Sequence, residues 1–100
     1  MIFLSVEEVM QIHDELISEY GGLYGIRDMG LLVSAIEMPK AAMFEEYLHE
    51  SVFDKASAYL YHMVCNRAFS DGNKRAGAAT TLTFLFQNGV KTKYDMKEFE

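Results

Sequence analysis

Val6, Val9, Met10, Ile12 and Ile17, with His13 among them, recur at three- and four-residue spacing and drift around one face, the signature of an amphipathic helix. Ser5 and Glu8, three apart, fit a capping box in which each side chain satisfies an orphan amide of the first turn. Gly21-Gly22 end the run, so a first helix is predicted over roughly 6–20. The stretch "GGLYGIRD" holds three of the seven glycines and reads as a loop. After it, Asp28 can cap a helix that turns Leu31, Leu32, Ala35 and Ile36 toward the core and is closed by Pro39.

The segment 38–50, "MPKAAMFEEYLHE", is too apolar for a plain solvated loop and too irregular for a helix, and it reads as a flap. Ser51 can cap the next helix, on which Val52, Phe53, Ala56, Leu60, Met63 and Val64 repeat at helical spacing, so this element is expected to be the most buried. A turn at 67–72 leads into a helix over about 73–88. That helix opens on Ala76, Gly77, Ala78 and Ala79, which allow close approach by a neighbour or a ligand. Gly89 is a cap candidate, "VKTK" a short strand able to pair with residues 2–4, and Asp95 with Glu98 the start of another helix. That helix would need packing to persist, and a C-terminal portion that is absent or supplied by a partner is the expectation. The pattern is one mostly α domain over 1–100 with a short β element, without repeats or linkers.

Composition narrows the function. A formal net charge of −6 argues against direct DNA binding, which needs clustered Lys and Arg. Cys65 is the only cysteine, so no internal disulfide can form, and neither an export signal nor a bilayer-length apolar run is present. A cytoplasmic protein that does not enter membranes is expected.

The candidate chemistry lies in "CNRAFSDGNKRAGAA", residues 65–79. Asp71, Gly72, Asn73, Lys74 and Arg75 fall at the start of a helix, where unpaired amides and the helix dipole favour an anion. Gly72 permits close backbone approach to a phosphate, Asn73 offers an amide, and Lys74 and Arg75 neutralise phosphate oxygens. Asp71 suits a magnesium ion held beside a polyphosphate. The same residues also fit a polar connecting turn, with Asp71 and Asn73 as caps and two solvated cations.

"VCNRAFSDGNKRAGAATTLTFL" resembles the motif region of the Fic/Doc family, in its death-on-curing (Doc) toxin branch, where the pattern is NHxFxDGNKR followed by a small-residue helix. Residues 66 and 69 to 75 follow that pattern, and "FLSVEEVMQIHDELISEYGG", "GIRDMGLLVSAI" and "FQNG" occur in the family's order. The resemblance implies a compact helical domain with a short β-flap that aligns a target protein beside the nucleotide. It further implies a toxin that moves the γ-phosphate of ATP to a threonine of elongation factor Tu and halts translation. An antitoxin whose disordered segment folds over the site is implied as a partner. Carried over by position, Asp71 holds magnesium, while Phe69, Gly72, Asn73, Lys74 and Arg75 bind the nucleotide, with Asp71 and Arg75 serving catalysis. Lys74, and Ala78 where AMP-transferring Fic members have a second arginine, favour phosphate over AMP transfer.

One position departs. Arg67 stands where the family has its histidine base, and a guanidinium with a pKa above about 12 cannot accept a proton near neutral pH. The chain is therefore expected to be catalytically silent. The alternatives are a non-catalytic module of this fold that binds antitoxin or target, and an AMP-transferring enzyme. Among the remaining residues, His62 and Cys65 lack further ligands for zinc. His13 and His49 stand isolated, Arg27 and Asp28 are expected to brace a helix, and Phe44 and Tyr47 are either a satellite core or a target seat.

Overall fold

A computed structural model describes residues 1–43, 46–47 and 51–91 of the chain. Three of its helices begin on side-chain caps that the sequence announces. Ser5 Oγ accepts from the Glu8 amide at 3.1 Å and Glu8 Oε1 accepts from the Ser5 amide at 3.0 Å, opening α1 over Val6–Tyr20. Asp28 Oδ1 accepts from the Leu31 amide at 3.0 Å at the start of α2, Met29–Glu37. Ser51 Oγ accepts from the Asp54 amide at 3.0 Å at the start of α3, Val52–Asn66. Pro39 turns the end of α2 into a 3-10 segment, Met38–Lys40. The flap expected over 38–50 contains two antiparallel strands, β1 (Ala42–Met43) and β2 (Glu46–Tyr47). The last described helix, α4, spans Asn73–Gln87.

The Ser5 amide holds the Glu8 carboxyl below the ordinary glutamate range. A depressed folded-state pKa adds stability above the unfolded value of about 4.3 and loses it as pH falls through the folded value. Glu8→Gln keeps the cap without the titration. Melting curves are therefore expected to show parent and variant diverging more at pH 6 than at pH 3.

The core forms where α3 meets α2 and α4. Tyr59 and Phe84 are fully buried with ring centroids 5.0 Å apart, Phe3 stacks on Phe84 at 5.8 Å, and Leu32, Ile36 and Met63 close the interior. Burial pushes the Tyr59 phenol up, and its oxygen accepts from the Leu4 amide at 3.2 Å. The small-residue start of α4 permits a close crossing: a Cβ at Gly77 would lie 3.3 Å from Met63 Cβ and 3.4 Å from Val64 Cγ2. These four helices with a minimal β element match the mostly α architecture expected.

The N-terminal segment differs from expectation. Residues 2–4 do not form a strand. Asn88 supplies their partner instead: its Oδ1 accepts from the Ile2 amide at 2.8 Å, while Nδ2 donates to the Ile2 carbonyl at 2.8 Å. Nδ2 also donates to the Phe84 carbonyl, so one side chain both caps α4 and tethers the segment before α1. A polar side chain mimicking a strand edge leaves no hydrophobic alternation to read. The expected strand at 90–93 and the helix from Asp95 fall wholly or largely outside the described residues, as do Phe44 and His49.

Candidate functional site

Unlike its predecessors, α4 begins without a side-chain cap. Its N-cap is Gly72 in the left-handed region, φ 73°, and no described side chain bonds the first-turn amides. The turn reading gave Asp71 and Asn73 that task, but both are occupied elsewhere. Asp71 Oδ1 accepts from the Gly72 amide at 2.8 Å and Oδ2 from the Leu23 amide at 3.1 Å, which ties the α1–α2 loop to the turn. Asn73 Oδ1 accepts from the Phe69 amide at 2.9 Å and its Nδ2 donates to the Phe69 carbonyl at 3.0 Å, closing the turn on itself. The α4 amides and dipole therefore face an open groove of about 1080 Å³, lined in part by Gly21, Cys65, Arg67, Asp71, Lys74 and Arg75.

The turn rests on α1. The Phe69 ring is 2% exposed. It stacks flat on His13, centroids 3.8 Å apart at 3°. His13 is itself buried and places Nε2 2.7 Å from the Asp71 carbonyl. A carbonyl only accepts, so Nε2 carries the hydrogen. Ile17, one turn on, fills the space beside Gly72 and Gly22.

The α1–α2 loop braces the other side. The Arg27 and Asp28 amides both donate to the Ala68 carbonyl, at 2.7 and 3.0 Å, and the Ser70 amide donates to the Gly25 carbonyl at 3.1 Å. The Arg27 side chain donates through Nε to the Arg67 carbonyl at 2.8 Å and through Nη2 to the Asn66 carbonyl at 3.1 Å, capping the end of α3. Arg27 and Asp28 thus brace helices, as expected. Arg67 is left-handed, φ 50°, the only non-glycine residue with positive φ among those described, and its exposed side chain lines the groove. Lys74 is exposed there too, and the Arg75 guanidinium lies 4.5 Å above the Tyr20 ring. Among the described residues no three His, Cys, Asp or Glu side chains group to hold a metal, and no helix is long and apolar enough to cross a membrane.

Gly22 marks how tightly the two loops fit. Its φ is +118°, and a Cβ there would stand 2.7 Å from Asp71 Oδ2 and 3.1 Å from Ile17 Cδ1. Gly22→Ala is expected to destabilise by about 1–3 kcal/mol from backbone strain, with the displaced Asp71 carboxylate adding to that. Thermal melts read the loss, and faster hydrogen exchange at the Leu23 amide locates it.

The Fic/DOC family model matches residues 3–85. The chain belongs to the Fic/DOC family. It is 40% identical over 76 residues to "Toxin Doc" of Mycolicibacterium smegmatis, covering 76% of this chain and 58% of that protein. It is 35% identical over 91 residues to "Protein kinase doc" of Escherichia phage P1, covering 91% of this chain and 71% of the phage protein. The turn held by His13, Arg27 and Gly22 lies within the matched residues. Sequence reasoning left His13 without a role and did not single out Tyr20. The available signal was their spacing with Ile17, at i, i+4 and i+7, which puts all three on one side of α1.

Proposed function

We propose that this chain is the toxin of a toxin–antitoxin pair, with a groove that takes ATP and magnesium for transfer of the γ-phosphate to a hydroxyl of elongation factor Tu, and that Arg67 keeps it silent. The uncapped start of α4, opening on a groove that Lys74, Arg75 and Arg67 line, is the observation that carries this reading. The names of the two relatives, a toxin and a protein kinase, support it. Asp71 suits magnesium because each carboxylate oxygen takes one amide and keeps a lone pair for a hard cation. Bound there, magnesium would supply charge neutralisation for the phosphates.

The amides of the first α4 turn, Lys74 and Arg75 hold the phosphate chain in this scheme. Asn73 keeps one amide hydrogen beyond the one given to Phe69, and Gly72 lets the backbone come close. In transfer, the target hydroxyl oxygen bonds to the γ-phosphorus, the bond to the bridging β–γ oxygen breaks, and the hydroxyl proton needs an acceptor. Arg67 occupies the position that the resemblance gives to the accepting histidine, and its guanidinium has no free lone pair for that proton. Lys74 and Ala78 favour phosphate over AMP as the group moved. The cytoplasm is the setting that reading requires, and an antitoxin segment is the partner that would cover the groove.

A second reading has its own observation. Asp71 and Asn73 both have structural duties in the turn, so the motif can persist in a module that only binds antitoxin or target. Titration calorimetry with ATP separates the two. Magnesium-dependent binding is expected, weakened about tenfold or more in Arg75→Ala by loss of charged phosphate contacts. Asp71→Asn is expected to remove the magnesium dependence. Absence of binding by the folded parent would transfer the reading to the module.

A further inference from the structure

The Arg75 guanidinium carbon stands 4.5 Å from the centroid of the Tyr20 ring, within cation–π range. The ion pairs among the described residues, His13–Asp14 and Glu37–Lys40, leave Arg75 out, so no described carboxylate anchors this side chain. Tyr20 is the last residue of α1, one turn beyond Ile17 and two beyond His13. Those two residues already pack against Gly72 and the Asp71 carbonyl. A single side of α1 therefore meets the site at three successive levels: the turn carbonyl, the glycine cap and the Arg75 side chain.

We propose that Tyr20 is a positioning residue for polyphosphate binding: its ring face holds the Arg75 guanidinium at the groove before any ligand arrives. The proposal rests on the nucleotide-groove reading above. Stacking uses only the face of the guanidinium, and its N–H donors lie in the plane, pointing outward and available for bidentate pairing with phosphate oxygens. Stacking and phosphate binding are thus compatible. A flexible arginine otherwise loses rotamer freedom on binding, and an aromatic platform removes part of that loss in advance. The platform requires a ring face, which Phe keeps and Leu lacks.

The test titrates the full chain, Tyr20→Phe, Tyr20→Leu, Arg75→Ala and the Leu/Ala double variant with ATP–magnesium and, separately, with inorganic tripolyphosphate. Tyr20→Leu is expected to weaken both about two- to fivefold, Tyr20→Phe to match the parent, and Tyr20→Leu to add nothing once Arg75 is alanine. The Arg75 δ and ε protons, read by NMR without ligand, are expected upfield in parent and Phe variant and at ordinary positions in Tyr20→Leu. A Phe variant as weak as Leu, an undiminished Leu effect on the Arg75→Ala background, or unchanged Arg75 shifts in Tyr20→Leu would overturn the proposal. So would failure of the parent to bind either anion. Binding of tripolyphosphate without ATP, with the same variant pattern, would sustain the role of Tyr20 while removing the nucleotide reading.

Discussion

Arg67→His is expected to raise phosphate transfer to elongation factor Tu by about 100- to 10,000-fold, the contribution of a positioned general base. That range corresponds to roughly 3–5 kcal/mol of barrier. Positioning and charge neutralisation supply much of phosphoryl transfer and would remain unchanged in the variant. Folding should tolerate the exchange, because residue 67 is left-handed and histidine enters that region more readily than most side chains. The Arg27 brace also grips the residue 67 carbonyl rather than its side chain. Labelled ATP, purified elongation factor and the parent, Arg67→His and Arg67→Ala proteins side by side make the measurement. Gain in the histidine form alone identifies a missing base. Equal gain in the alanine form would show that Arg67 only obstructs, and silence from all three folded proteins would favour the binding module.

His13→Ala is expected to destabilise by about 3–5 kcal/mol, the range for removing a large buried side chain. Two losses combine there. The Asp71 carbonyl forfeits its donor at 2.7 Å, worth about 1–3 kcal/mol when the acceptor stays unpaired, and Phe69 forfeits a stacked ring worth about 0.5–1.5 kcal/mol. At about 4–8 °C per kcal/mol for a chain of this size, the midpoint falls by well over 10 °C. His13→Phe keeps the stack without the donor, so calorimetry should place it between parent and alanine. A midpoint within a few degrees of the parent in His13→Ala would mean that the turn does not depend on α1.

Local chemistry explains what the sequence made legible. Ser5 with Glu8, Asp28 and Ser51 each bond an amide three residues away, so the helix starts can be read from a few letters. The motif turn was visible for the same reason: a glycine, polar groups and cations crowd the start of α4. The supports were hidden because their partners are remote. His13 meets Asp71 across 58 positions and Arg27 meets Arg67 across 40, separations at which no spacing rule operates. Phe69 shows the converse difficulty. An aromatic in a ligand motif looks like a contact, and nothing in that motif announces that its ring also stacks on His13. Asn88 replaced an expected strand pairing because one carboxamide carries the donor and acceptor of a peptide edge.

The brace from Arg27 and Asp28 ends on the carbonyls of residues 66, 67 and 68, atoms that every amino acid possesses. Loop shape and reactive group are therefore specified by different parts of the chain. A substitution at 67 replaces a side chain that lines the groove and leaves in place the carbonyl that Arg27 holds. What lines the groove at 67 can thus change without a change in the frame that presents it.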